Sequence, residues 1–109
     1  MEVGPNQRRL FTSGTPGLAS DGSLATDIVG QSEQTWANLQ QMLGKAKMSV
    51  NDIVKVTPHM LKEEDIPAYA KVRARILNAH KPVFMLAVNP ALIKPGMLVE
   101  VEIVASKAV

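Results

Sequence analysis

The sequence contains no cysteine, so it has no disulfide bond, no thiol nucleophile and no cysteine-based metal site. Aromatic residues make up only 4% of its 109 residues, which argues against the base-stacking surfaces of proteins that bind single-stranded nucleic acids. No apolar run approaches the ~20 residues that span a bilayer, and the N-terminus lacks the apolar segment of a signal peptide. Twelve basic and ten acidic residues leave neither sign of charge concentrated. These features predict a cytoplasmic protein with no membrane contact and no nucleic-acid partner.

What the sequence does contain is 46% apolar residues, which fits one globular domain over residues 1–109. A chain of this size buries ~65% of its unfolded surface, which is enough for one core. Neither a repeat nor a linker interrupts the pattern. The predicted order is strand 9–13, helix 27–46, strand 53–61, helix 66–79, strand 83–88 and a last strand from residue 97.

Two segments have the 3.6-residue periodicity of amphipathic helices. The first, residues 27–46, has one apolar stripe that includes Trp36, and it begins at a capping residue, Thr26 or Asp27. The second begins where three acidic residues precede Pro67. Carboxylates favour the N-terminal end of a helix dipole and proline fits the first turn, so this segment reads as a helix start.

The C-terminal segment, residues 97–107, has the two-residue alternation of a strand. One face is uniformly apolar and is expected beneath the helices. The other face carries Glu100 and Glu102 between Leu98 and Val104, so it is either open to water or packed on another subunit around a polar pocket. Two helices cover only one face of a sheet of about five strands. We therefore expect the half-apolar face to be buried by oligomerisation.

Glycine and proline interrupt the pattern at two places. Residues 14–22 contain three glycines and a proline, which predicts a loop in the form of a wide hairpin. Pro58 lies inside the predicted strand 53–61 and removes one donor from the hydrogen-bond ladder. This strand is therefore predicted to be an edge, or bulged, at Pro58.

Few residues are candidates for chemistry. Glu100 and Glu102 lie about 6.5–7 Å apart on one strand face. One of them can do acid–base work if it is partly desolvated, and a solvated strand face is the alternative. His59 and His80 have no HxH or HExxH spacing, so no metal site is predicted. Each is interpreted as a surface or partly buried histidine.

The tetrapeptide Thr12-Ser13-Gly14-Thr15 places hydroxyls and several backbone amides at the end of a predicted strand. No GxSxG sequence surrounds Ser13 and no Ser/His/Asp order is evident, so a nucleophilic serine is not predicted. A hydroxyl or backbone group that holds a ligand, and an ordinary turn, are the two interpretations left open.

Three segments resemble, in order, the signatures of one known family. They are residues 10–15, LFTSGT; residues 51–57, NDIVKVT, after a helix with Gln34, Thr35, Asn38 and Leu39; and residues 99–105, VEVEIVA. From these the chain is identified as a member of the RidA (YjgF) family of imine and enamine deaminases. The resemblance covers nearly the whole chain from about residue 9.

The resemblance implies a chorismate-mutase-like α+β fold, with a mixed sheet of about five to six strands and two α-helices on one face. It also implies a homotrimer whose sheets enclose a barrel, with small-molecule sites in clefts between subunits. Archetypal members hydrolyse 2-aminoacrylate-type imines to a 2-keto acid and ammonia without a cofactor. The family's water-activating glutamate falls on Glu100, and its strand-end serine falls on Ser13.

The sequence departs from the family pattern where archetypal members carry Pro-x-Arg after the second helix. That arginine clamps the substrate carboxylate, and here the run Pro82-Val83-Phe84 places Phe84 at its position. The family's asparagine falls on Ala70 and its N-terminal tyrosine on Asn6. Losing the clamp costs ~4 kcal/mol, about a thousandfold in binding or rate. Phe84 therefore predicts a more apolar ligand.

Two functions of different class remain open. The first is hydrolytic deamination of a small reactive imine or enamine other than a simple 2-imino acid. Glu100 would orient the water, and Ser13, Gly14, Thr15 and Phe84 would contact the substrate. The second is a non-catalytic trimer that binds a small metabolite in its clefts. A ribonuclease activity is sometimes attached to the family, but the moderate charge and the absence of a His–Lys–Glu cluster give it little support here.

Overall fold

A computed structural model describes residues 1–109, and it contains two α-helices and six strands. The helices are α1 (Ile28–Lys45) and α2 (Ile66–Leu77). The strands are β1 (Gln7–Phe11), β2 (Thr15–Pro16), β3 (Ile53–Met60), β4 (Val83–Phe84), β5 (Ala87–Val88) and β6 (Val99–Ala108). Neither helix is long and apolar enough to cross a membrane. The predicted α+β class is confirmed.

Strand β6 is the centre of the sheet because it has partners on both sides. β1 and β2 pair with it in antiparallel orientation along one side, and β3 pairs with it in antiparallel orientation along the other. β4 and β5 pair with β3 in parallel orientation. The sheet is therefore mixed, in the order β1-β6-β3-β4, and the predicted mixed sheet of five to six strands is confirmed.

Both helices pack on the same face of the sheet. Asp27 caps α1, since its Oδ1 accepts a hydrogen bond from the Gly30 N–H at 3.3 Å. The apolar stripes of the two helices then meet the sheet in a single core. Trp36 of α1, Tyr69 of α2 and Val101 of β6 are all fully buried in that core. Burial of these stripes is the main source of helix stability in a chain of this length.

The two faces of the sheet differ in the way that the alternation predicts. Every second residue of β6 from Val99 to Ala105 is buried beneath the helices, on what we call the helix-covered face. The intervening residues are only half-buried on the opposite face, which we call the open face. The strand registers place these residues on the open face: Phe11, Lys55, Thr57, His59, Glu100, Glu102 and Val104.

The wide hairpin predicted over residues 14–22 is present only in part, as an isolated antiparallel bridge between Leu18 and Leu24, and the start of this segment forms the strand β2. β2 does not pair with β1 but with β6, on the same side as β1. β1 ends opposite Val104 and β2 begins opposite Val101, so residues 12–14 stand opposite only two residues of β6. One extra residue in a strand is a β-bulge, and it bends the chain away from the sheet.

The prediction that β3 is an edge, or bulged, at Pro58 holds in part. β3 pairs with β6 through Pro58 without a shift, so it is not bulged there, but at this residue it has no strand partner on its other side. The carbonyls of Val56 and Met60 accept hydrogen bonds from the N–H groups of Met85 and Asn89. Backbone groups two residues apart face the same way, so the nitrogen of Pro58 faces β4 and β5. The predicted strand 83–88 is divided into β4 and β5, and the nitrogen of Pro58 lies opposite the gap between them. No strand there requires a hydrogen-bond donor from residue 58.

Candidate functional site

Glu100 is the second residue of β6 and is half-buried on the open face. Its neighbours Val99 and Val101 are fully buried on the other face, so a shift of register would expose both of them. The direction of the Glu100 side chain is therefore fixed by the core. Its carboxylate has no cation partner, since the one salt bridge of the chain joins Arg75 and Glu33.

Gly14 lies directly against the carboxylate of Glu100. A Cβ atom built on Gly14 would stand 2.9 Å from Oε1 and 3.1 Å from Oε2 of Glu100. These separations are shorter than carbon–oxygen van der Waals contact, so any side chain at Gly14 would displace the carboxylate. The structure thus brings together two of the residues predicted for the site.

The bulge between β1 and β2 presents Ser13 beside this contact. The Thr12 N–H donates to the Ile103 carbonyl at 3.1 Å, and Thr12 Oγ1 accepts from the Ile103 N–H at 2.9 Å. The hydroxyl thereby takes the place of the backbone acceptor that the bulge removes. Ser13 is exposed, and its carbonyl accepts a hydrogen bond from Thr15 Oγ1 at 3.1 Å. The loop therefore has a defined shape and an accessible serine.

The other two predicted residues are not brought to Glu100 within one chain. Thr15 is buried, and its register places its side chain on the helix-covered face. Phe84 pairs with buried Val56, so its ring also lies on the helix-covered face. The guanidinium carbon of Arg73, on α2, is 4.3 Å from the centroid of that ring. Glu100 and Phe84 thus lie on opposite sides of the sheet.

A buried amide fixes the chain just before β6. Gln31 of α1 is fully buried, and its Nε2 donates to the carbonyls of Ala25 and Gly96, both at 2.8 Å. Its Oε1 accepts from the Leu98 N–H, also at 2.8 Å. Because Leu98 lies two residues before Glu100, these bonds set where the carboxylate stands relative to α1.

A second amide fixes the strand on the other side of the site. Nδ2 of Asn38 donates to the carbonyl of Pro16 at 3.1 Å and to that of Leu18 at 2.9 Å. Its Oδ1 accepts from Nε2 of Gln34 at 2.9 Å. These bonds attach β2 to α1, and with it the loop that carries Gly14.

One titratable residue next to Glu100 did not stand out in the sequence. His59, interpreted there as a surface or partly buried histidine, is the direct cross-strand partner of Glu100 and is half-buried on the open face. The alternation within β3 does predict the face of His59, but its partner depends on the register between two strands far apart in the chain. Nowhere in the chain do three or more His, Asp or Glu side chains form a cluster that could hold a metal ion.

Nearly the whole sequence matches the model of a known family. The model of the endoribonuclease L-PSP family matches residues 3–107. The chain belongs to this family, the YjgF/RidA family. This chain is 31% identical over 81 residues to the RutC family protein PH0854 of Pyrococcus horikoshii. That match covers 74% of this chain and 64% of the relative, which is less than two thirds of the relative's length.

Solved structures agree with this assignment to the RidA family. RidA from the Antarctic bacterium Psychrobacter sp. PAMC 21119 has a TM-score of 0.84 at 25% identity, over 96% of this chain and 83% of that one. Rv2704 of Mycobacterium tuberculosis, a YjgF/YER057c/UK114 family member, has a TM-score of 0.80 at 25% identity, over 95% and 80% of the two chains. E. coli TdcF, solved with bound serine, shares the fold, with a TM-score of 0.86 at 21% identity over 98% and 91% of the two chains. The predicted family and the predicted fold are both confirmed.

Proposed function

We propose that this RidA family chain forms a homotrimer that hydrolyses a small reactive imine or enamine other than a simple 2-imino acid. Residues 1–109 form its single domain, and its location is the cytoplasm. The observation that carries the proposal is the contact between Glu100 and Gly14. It holds a half-buried carboxylate, without a cation partner, against an accessible loop at the end of a strand.

The reaction needs a group that takes a proton from water, and Glu100 suits that role. A carboxylate that is not engaged by a cation keeps its lone pairs available for a water molecule. In the hydrolysis of an imine, the water oxygen bonds to the imine carbon and the carbon–nitrogen bond breaks. Both protons of the water end on the nitrogen, which leaves as ammonia while a ketone remains. The reaction consumes no oxidant, reductant or cofactor.

The homotrimer is supported by the apolar part of the open face. Phe11 and Val83 are 69% and 46% exposed, and their registers place both on this face near Val104. Exposed apolar residues interspersed with charged ones are typical of a protein–protein interface. Glu100 and Phe84 lie on opposite sides of one sheet, so a site that uses both needs residues from two copies.

The choice of substrate rests on Phe84. Its ring is 48% exposed at the β4 edge of the sheet, and it offers an apolar surface rather than a hydrogen-bond donor. The guanidinium of Arg73 stacks over the ring instead of extending past it. We therefore propose an imine whose side group is apolar.

A coupled assay tests this proposal. A pyridoxal-phosphate dehydratase would generate the 2-imino acid from serine, and an amine oxidase supplied with oxygen would generate imines without a carboxylate from amines with apolar side chains. Release of the carbonyl product would be followed with and without this protein. We expect acceleration on the apolar imines only. Acceleration on the serine-derived imine would contradict the proposed specificity and would assign the substrate carboxylate to a cation of this chain, for which Arg73 is best placed.

Variants of the site give a sharper test of the chemistry. We expect Glu100→Gln to lower kcat about 100-fold or more, because the amide cannot accept the proton. Gly14→Ala should lower it as well, because the new methyl group displaces the carboxylate. Glu102→Gln is the matched control, since Glu102 lies on the same face two residues further along β6. Equal rates for Glu100→Gln and Glu102→Gln would refute the role of Glu100.

Light scattering at micromolar concentration tests the assembly. We expect a trimer, and Phe11→Asp should shift it toward a monomer. Val29→Asp should not, because Val29 is an exposed apolar residue of α1, outside the open face. If no imine is hydrolysed but a small metabolite raises the melting temperature of the trimer, the non-catalytic binding function replaces the hydrolase.

A further inference from the structure

We infer that His59 is the second acid–base group of the site and works as a pair with Glu100 across β3 and β6. This inference rests on the proposed function and adds to it the group that supplies a proton to the substrate nitrogen. The sequence gives no motif for the pair. It arises only from the register of two strands that are about forty residues apart in the chain.

The register sets the spacing between His59 and Glu100 along the backbone. The Leu61 N–H donates to the Leu98 carbonyl at 3.1 Å, so odd-numbered residues of β3 direct their backbone groups toward β6. His59 and Glu100 therefore occupy a hydrogen-bonded antiparallel position, where Cα atoms stand about 5.5 Å apart and side chains share a face. The two groups form no salt bridge with one another. Such a pair reaches from both sides toward a small molecule bound between them.

Few charged groups surround His59. On the other side of His59, β5 contributes Ala87, which is small and uncharged. The charged groups that share the open face are Glu100 directly opposite, Glu102 diagonally opposite and Lys55, four residues earlier on β3. Glu100 is the nearest of the three in register, so it is the group with which His59 exchanges protons through the substrate.

The pair closes the proton balance of imine hydrolysis. In the first half, Glu100 takes a proton from water as the oxygen bonds to carbon, and protonated His59 gives a proton to the imine nitrogen. The product is a carbinolamine. In the second half, neutral His59 takes the proton from the hydroxyl group of the carbinolamine. Protonated Glu100 gives its proton to the nitrogen as the carbon–nitrogen bond breaks. A ketone and ammonia leave, and both side chains return to their starting state.

His80, the other histidine of the chain, provides a matched control. Its Nε2 lies 2.7 Å from the carbonyl oxygen of Ile53, so its ring is committed to a backbone hydrogen bond. His80→Gln retains a donor for that carbonyl and removes the ring. A change seen in His59→Gln but not in His80→Gln is therefore not a general effect of losing a histidine.

The experiment measures kcat and KM against pH on the most rapidly hydrolysed imine. We expect His59→Gln to lower kcat about 100-fold with KM changed less than threefold, and to remove one limb of the pH dependence. His80→Gln should retain both limbs. The double variant His59→Gln/Glu100→Gln should lose little more than Glu100→Gln alone, because groups that act as a unit are not additive. If His59→Gln retains the rate and the pH dependence, the inference is overturned while the proposed hydrolysis stands.

A second measurement needs no turnover. Long-range proton–nitrogen NMR spectra report the state of each imidazole ring separately. We expect the ring-nitrogen signals of His59 to change in Glu100→Gln and those of His80 to stay as they are. If the wild-type protein hydrolyses no imine, the proposed function fails, and a changed His59 signal still supports the pair. An unchanged His59 signal overturns the pair.

Discussion

Replacing Gln31 by methionine tests whether one buried amide determines where β6 begins. Methionine has a similar length and no branch, so it fills the same space without the polar atoms. The change removes three part-buried hydrogen bonds, from the side chain to the carbonyls of Ala25 and Gly96 and from the N–H of Leu98 to the side chain. Each such bond contributes about 0.5–1.5 kcal/mol net, because water can replace the lost partner at a part-buried group. We therefore expect the free energy of unfolding to fall by about 2–4 kcal/mol.

This loss is large beside the 5–15 kcal/mol that typically stabilises a domain, and urea denaturation measures it directly. Gln41→Met is the control, because Gln41 is an exposed residue of the same helix. The slope of the transition should stay constant while the midpoint falls. A loss below about 1 kcal/mol, or equal to that of Gln41→Met, would show that these backbone groups are solvated and that Gln31 does not hold β6.

Two further predictions concern packing and ionisation. Gly17→Ala should destabilise the protein by about 1–3 kcal/mol, because its Cβ would stand 2.4 Å from the Gln31 carbonyl oxygen. Gly44→Ala should stabilise the protein by about 0.5–1 kcal/mol, because a Cβ atom built on Gly44 has no neighbouring atom within 4 Å. Thermal unfolding in which both variants change the melting temperature in the same direction would refute this reasoning. Burial raises the pKa of Tyr69 from 10.0 to about 12, so stability should be lost as pH rises between these values. Tyr69→Phe should lack this loss, so its stability relative to wild type should grow by about 2–3 kcal/mol over that pH range. Urea midpoints of the two proteins that change equally with pH would contradict this prediction.

The elements with a strong period could be predicted from sequence to within two or three residues. The predicted helix 27–46 corresponds to Ile28–Lys45, and the alternation from residue 97 corresponds to β6, with its two faces assigned correctly. Periodicity is a local property of the chain, so it is readable without knowledge of the partners. The exposed Phe11 and the half-apolar open face agree with the alternation for the same reason.

Which strands lie next to each other could not be predicted from the sequence. Pairing of β2 with β6, and of β3 with β6 through Pro58, depends on contacts between distant segments that no local pattern records. The candidate site shows the same division. The alternation within β6 predicted that Glu100 lies on the open face. Its contact with Gly14 depends on the register between β2 and β6, and its pairing with His59 depends on the register between β3 and β6. Phe84 lies away from Glu100 because parallel pairing with β3 determines its face.

The central position of β6 has a consequence for the order in which the protein is made. Gln7 pairs with Ala108, and β2 and β3 pair with the same strand, yet β6 follows all of them in the chain. During translation β1, β2 and β3 are therefore made before the strand with which all three pair. Until β6 is made, the apolar stripes of α1 and α2 have no complete sheet on which to pack. Pairing between such distant segments is slow to form, and the surface exposed meanwhile is of the kind that chaperones bind. Trp36 and Tyr69 are buried only once the ribosome has delivered β6.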